Sequence, residues 1–142
     1  MDDDRLASIP LLAPLSARAR QQFVRDAMVN RYRPGEAVVR EGDPATRLYI
    51  ILSGHARVER AVLGQVATLG PGAYFGELAL IDQQARTASV VAEDDLECLL
   101  ISAWEFRATL KEHPEMALPM LEAAIARLHT SEARGAPQAD EG

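Results

Sequence analysis

From Met28 to Ile101 the sequence is cut into short apolar runs by turn-forming residues. They fall at Pro34-Gly35, Gly42-Asp43-Pro44, Ser53-Gly54, Leu63-Gly64, Gly70-Pro71-Gly72 and Asp94-Asp95. Most of these interruptions are about 8–12 residues apart, the spacing of a β-sandwich or barrel. A parallel βαβ sheet is excluded, because its crossovers need about a dozen residues or more between strands. The runs Val29–Tyr32, Ala37–Arg40, Leu48–Leu52, Ala56–Arg60, Gln65–Leu69, Thr87–Ala92 and Leu96–Ile101 supply the predicted strands. Seven strands of this length need a second layer or helices to cover them, which 142 residues can provide within one domain.

Outside this block the period changes to that of a helix. Ser16 is placed to cap a segment reaching about Ala27, with Ala19, Phe23 and Ala27 on one face and Arg18, Arg20, Gln21 and Arg25 pointing away. After Ile101, Ser102 followed by Glu105 forms a capping box. It opens a helix to about Glu112 that buries Trp104, Phe106 or Leu110 against the sheet. His113-Pro114 marks a boundary. Met116, Met120, Leu121, Ala124, Ile125 and Leu128 then describe an amphipathic last helix, in which Pro119 removes one donor and is expected to kink or restart the chain. From Ser131 onward nothing offers itself for burial, so residues 1–130 are read as the domain and residues 131–142 as a disordered polar tail.

Composition narrows the function. Net charge is −6, with Asp2, Asp3, Asp4, Asp140 and Glu141 at the ends, which disfavours non-specific attraction to nucleic acid or anionic membrane. The longest apolar runs fall far short of the roughly 20 residues that cross a bilayer. The single cysteine, Cys98, sits among Leu96, Leu99 and Leu100 and reads as a buried small hydrophobe in a reducing, cytoplasmic compartment. His55, His113 and His129 share no metal-ligand spacing, and no Gly-x-Ser-x-Gly is present. Metalloenzyme and hydrolase readings therefore lack their residues.

The stretch from Gly70 to Val90 carries the chemistry. Gly76 lets the backbone approach a ligand closely, and a short helix expected over Glu77–Ile81 would project the amides of Leu78 and Ala79 from its first turn. Such amides suit an anion. Arg86 supplies a fork that matches phosphate, and Glu77 suits a neutral hydroxyl on the same ligand. Phosphate plus sugar hydroxyl is the combination these residues describe. Two plainer readings stand beside it: Glu77 and Arg86 as an internal ion pair, and Thr87 as an ordinary strand residue. Gly70, Gly72 and Gly76 do not have the spacing or the βαβ setting of a dinucleotide fingerprint.

Phe75-Gly76-Glu77-Leu78-Ala79-Leu80 followed by Arg86-Thr87-Ala88 resembles the phosphate-binding cassette of the cyclic nucleotide-binding domain family. Tyr32-Arg33-Pro34-Gly35-Glu36, Glu41-Gly42-Asp43, Leu48 to Gly54 and Leu69-Gly70-Pro71-Gly72 match the family pattern in order, so the resemblance covers roughly residues 6–128. It implies a mainly β fold with flanking α-helices: an eight-stranded antiparallel β-roll (double-stranded jelly roll), an N-terminal helix and two C-terminal helices. It also implies that Glu77 accepts from the ribose 2′-hydroxyl and Arg86 pairs with the cyclic phosphate. Gly76, Leu78 and Ala79 would give backbone donors, and Thr87 its hydroxyl and amide. A hydroxyl at position 87 makes cGMP admissible beside cAMP. Ala85 stands where the family usually carries proline. Arg127, late in the last helix, is a solvated residue or a cation stacked over the purine.

These features describe a binding sensor, not an enzyme, that signals cAMP or cGMP occupancy through its C-terminal helix to a protein effector or homodimer partner. Only a short polar tail follows that helix, so DNA reading is not expected. A degenerate family member serving as a protein-interaction module without nucleotide is the alternative.

Overall fold

A computed structural model describes residues 1–76, 86 and 88–133, with side chains through 126. Two N-terminal helices, α1 (Asp3–Ala7) and α2 (Ala17–Phe23), precede eight strands: β1 (Met28–Tyr32), β2 (Ala37–Val39), β3 (Arg47–Ser53), β4 (Ala56–Arg60), β5 (Gly64–Leu69), β6 (Tyr74–Phe75), β7 (Ser89–Ala92) and β8 (Leu96–Ser102). Helix α3 (Ala103–Glu112), a 3-10 turn (Pro114–Met116) and helix α4 (Ala117–Ala133) follow. The strands form two four-stranded sheets, ordered β1-β8-β3-β6 and β2-β7-β4-β5, and every pairing is antiparallel.

Strands β3 and β8 lie adjacent in the first sheet and are covered on both faces, which explains their apolar runs Leu48–Leu52 and Cys98–Ile101. Leu48 and Ile50 of β3 and Leu99 and Ile101 of β8 point toward the helices, where they meet Phe23, Phe106, Met116 and Met120. Their alternating neighbours Tyr49, Ile51, Cys98 and Leu100 face the second sheet and pack with Val39, Val58, Val90 and Ala92. Burial among these residues pushes the Cys98 thiol up to about 12, with a smaller push from neighbouring Glu97. The thiol behaves as the buried hydrophobe expected of it.

The helix ends follow their caps. Ser16 Oγ accepts from the Ala19 N–H at 3.2 Å, and Ser102 Oγ accepts from the Glu105 N–H at 3.1 Å. Helix α2 stops at Phe23, four residues earlier than expected: after Val24 the bonds tighten to the i→i−3 kind, from the Arg25 N–H to the Gln22 carbonyl and from the Ala27 N–H to the Val24 carbonyl. Arg20 does not point to solvent: it holds α1 through both oxygens of Asp3, at 2.9 and 3.0 Å, and also donates to the Leu15 carbonyl. The run Asp2-Asp3-Asp4, read from the sequence only as charge, starts α1, with Asp2 as its cap. Of the three side chains expected to anchor α3, Phe106 is fully buried and Leu110 packs at the edge of the core, whereas Trp104 is 74% exposed. Pro119 neither kinks nor restarts α4. The helix begins at Ala117, so the proline stands in its first turn, where no intrahelical donor is needed. Met116 and Met120 are buried, but Leu118, Leu121 and Ile125 are exposed. Residues 131–133, expected to begin a disordered tail, continue α4, and from residue 134 the expected tail lies outside the described residues.

Candidate functional site

The first sheet ends at β6, which pairs with β3 so that Phe75 stands opposite Tyr49 and Tyr74 opposite Ile50. The Tyr49 and Phe75 rings stack with centroids 4.9 Å apart and planes 3° from parallel. Gly76 follows with φ 93°, a region that suits glycine. A Cβ there would lie 2.1 Å from Arg86 Nη1 and 3.2 Å from the Arg47 carbonyl oxygen. The guanidinium thus rests directly on the Gly76 backbone.

Arg86 is held at both its main chain and its side chain. Its N–H donates to the Asp43 carbonyl and its own carbonyl accepts from the Gly42 N–H, both at 2.8 Å. The Glu41-Gly42-Asp43 turn is in turn closed by the Arg40 N–H on Asp43 Oδ2 at 3.2 Å, and tied to β7 by the Glu41 N–H on Ser89 Oγ at 2.9 Å. The side chain donates through Nη2 to the Arg47 carbonyl at 2.5 Å, and its Cζ lies 5.7 Å from the Tyr49 ring centroid. Arg86 is only 4% exposed. A buried cation is costly unless the surrounding groups favour its charge. Here a carbonyl oxygen and an aromatic face, both electron-rich, surround it.

Of the residues singled out from the sequence, the structure brings Gly76 and Arg86 into contact. Glu77, Leu78, Ala79 and Thr87, together with the helix expected over Glu77–Ile81, lie outside the described residues, as does the side chain of Arg127. Tyr49 and the Arg47 carbonyl carry no site signal of their own in the sequence. The alternation of β3 could have placed Tyr49 on the inner face, but a main-chain oxygen leaves no mark in residue types. Among the described residues no group of three or more His, Cys, Asp or Glu could hold a metal ion. None of the described helices is long and apolar enough to cross a membrane.

A second polar junction lies between the β3–β4 and β7–β8 turns. The His55 N–H donates to Asp94 Oδ1 at 2.7 Å, and His55 Nδ1 lies 2.8 Å from Asp94 Oδ2. These bonds from His55, side chain first and backbone second, hold the Asp94 carboxyl below its usual range. The pair joins two exposed turns and lies apart from the Arg86 cluster.

Comparison with known proteins bears on the family and the fold. The sequence profile described as "Cyclic nucleotide-binding domain" matches residues 29–113. The chain is 32% identical over 111 residues to a cAMP-dependent protein kinase regulatory subunit from Pyricularia oryzae, covering 78% of this chain and 28% of that protein. It is 31% identical over 130 residues to human cGMP-dependent protein kinase 2, covering 87% of this chain and 17% of the kinase. The Thermus thermophilus catabolite activator protein structure superposes with a TM-score of 0.76 at 28% identity, covering 88% of this chain and 61% of that one. The chain belongs to the cyclic nucleotide-binding domain family, and its two antiparallel sheets with flanking helices are that family's β-roll. It spans about a quarter of the length of the curated kinase regulatory subunits it matches.

Proposed function

We propose that this chain is a sensor module that binds cAMP or cGMP at the segment following β6 and transmits occupancy through α4. The observation that carries this reading is the placement of Arg86: a buried guanidinium, backbone-anchored by the Gly42-Asp43 turn, lying on the glycine that follows β6. Arg86 pairs with the cyclic phosphate, Glu77 accepts from the ribose 2′-hydroxyl, and Gly76, Leu78 and Ala79 supply backbone donors. Thr87 adds its hydroxyl beside the phosphate, and Arg127 stacks over the purine. The relatives' printed names support both nucleotides, one being cAMP-dependent and another cGMP-dependent. The module performs no catalysis itself. Ligand orders the cassette and shifts the population of α4 toward a position over the pocket, where a protein effector or a second copy reads it. Residues 1–133, through the end of α4, form this module, and the buried, unpaired Cys98 suits the cytoplasm.

The test is calorimetric titration with cAMP and with cGMP, repeated on Arg86→Leu. Loss of one charge-assisted hydrogen bond, about 1.5–3 kcal/mol, should weaken binding about tenfold or more. Nucleotide at a hundred times its Kd should stabilise the fold by about 2.7 kcal/mol. A second reading, a retained fold that binds protein without nucleotide, is favoured by one observation: Arg86 is covered and already donates to a main-chain carbonyl. No heat with either nucleotide would select that reading.

A further inference from the structure

We propose that Tyr49 is a positioning residue for the ligand, its ring holding the Arg86 guanidinium at the place where it meets the phosphate; this rests on the ligand-binding reading of Arg86 above. The Arg86 Cζ lies 5.7 Å from the Tyr49 centroid, within the range where an aromatic face attracts a cation. Both groups are buried, at 4% and 9% exposure, so little water dilutes the attraction.

The ring is a fixed platform. Tyr49 sits in β3 between two strands, in register with Leu100 of β8 and Phe75 of β6, and its ring stacks on that of Phe75. A guanidinium donates hydrogen bonds only around its edge, through five N–H groups in one plane, while its flat faces donate none. The Tyr49 ring attracts the positive charge as a whole and does not take up those N–H groups as an acceptor oxygen would. A carboxylate in the same place would hold the side chain by engaging its N–H groups and would neutralise the charge the ligand needs. An aromatic ring does neither. The opposite boundary is backbone: Gly76 lacks a side chain and the Arg47 carbonyl takes the Nη2 donor. Of Tyr49, Gly76 and Arg47, only Tyr49 presents a side chain to the guanidinium.

A fluorination series at position 49 tests this, because fluorine withdraws electron density from the ring face while changing its shape little. Calorimetric titration of the full chain with cAMP and cGMP would compare Tyr49→Phe with 4-fluoro-, 3,5-difluoro- and pentafluorophenylalanine at that position. Ligand-free urea midpoints would be measured alongside. Tyr49→Phe is expected to bind within about twofold of wild type. Kd should rise with each step of fluorination, reaching about twofold to thirtyfold at the end of the series. The urea midpoint should not fall in parallel, since a fluorinated ring stacks on Phe75 at least as well as phenyl. The grading lets the trend be read from whichever members fold. A Kd indifferent to fluorine, with Arg86→Leu still weakening binding, overturns the role of Tyr49 alone. A wild-type chain that binds neither nucleotide overturns the ligand-binding reading and this inference with it.

Discussion

Replacing Gly76 by alanine adds one methyl group where β6 ends against Arg86. Built on the backbone, that Cβ lies 2.1 Å from Nη1 and 3.0 Å from Cζ of Arg86, whereas ordinary contact begins at 3.4 Å. The guanidinium must retreat by roughly an ångström. It cannot do so and keep its 2.5 Å bond to the Arg47 carbonyl, which itself lies 3.2 Å from the new carbon. A second effect comes from the backbone: at φ 93° an L-residue is strained by about 1–2 kcal/mol. Gly35 separates the two effects, since it has φ 86° and nothing within 4 Å of its would-be Cβ. In urea titrations followed by circular dichroism, Gly35→Ala should lose about 1–2 kcal/mol of stability and Gly76→Ala more than that, since the clash with Arg86 adds to the strain. In calorimetry with cAMP and cGMP, only Gly76→Ala should lose affinity. The expected loss is about tenfold or more, the equivalent of one charge-assisted hydrogen bond. Equal Kd values for the two alanine variants would refute the reasoning, because intrusion on Arg86 would then have no consequence for the ligand.

Cys98, with its thiol pushed up to about 12, should resist thiol-specific reagents at pH 8 in the folded chain and react at once in denaturant; a native rate matching the unfolded rate would contradict its burial. Asp94 is held below the ordinary 3.8 by its bonds from His55, so its contribution to stability is present above that pH and lost as pH falls through the lower folded value. The stability difference between wild type and Asp94→Asn should accordingly close on acidification below pH 3.8, and a difference constant with pH would exclude the linkage. Ser102→Ala removes the cap of α3 and should cost about 1 kcal/mol in thermal or urea unfolding, with Ser102→Asp restoring most of it. Phe106→Ala empties a fully buried position and should cost about 3–5 kcal/mol, a large part of the stability of a domain of this size.

Seven strands lie close to the predicted runs, since Gly, Pro and Asp at most of their junctions favour a turn over continued pairing. β6 escaped because two residues, Tyr74 and Phe75, show no alternation, and its existence depends on pairing with β3. The caps Ser16 and Ser102 were readable because a hydroxyl before a helix has a local partner three residues on. What Trp104 and Arg20 do was not readable locally. Which face of α3 meets the sheet, and which carboxylate meets Arg20, depends on how distant elements pack. The site divides in the same way. Arg86 and Gly76 stand out by residue type and spacing, whereas the Gly42-Asp43 backbone and the Arg47 carbonyl contribute only main-chain atoms, which any sequence possesses.

The beginning of β3 serves two masters. The Arg47 carbonyl receives the Arg86 guanidinium, while the preceding carbonyl, that of Thr46, receives the N–H of Ala103 at 3.0 Å, the first residue of α3. Each carbonyl belongs to a rigid planar peptide unit, so only the φ and ψ of Arg47 stand between them. Re-aiming one oxygen therefore either twists that single residue or swings the other oxygen as well. Because Arg47 is also registered against Ser102, the cap of α3, the twist has little slack in which to dissipate. A tug on the arginine is mechanically adjacent to the root of the helical arm.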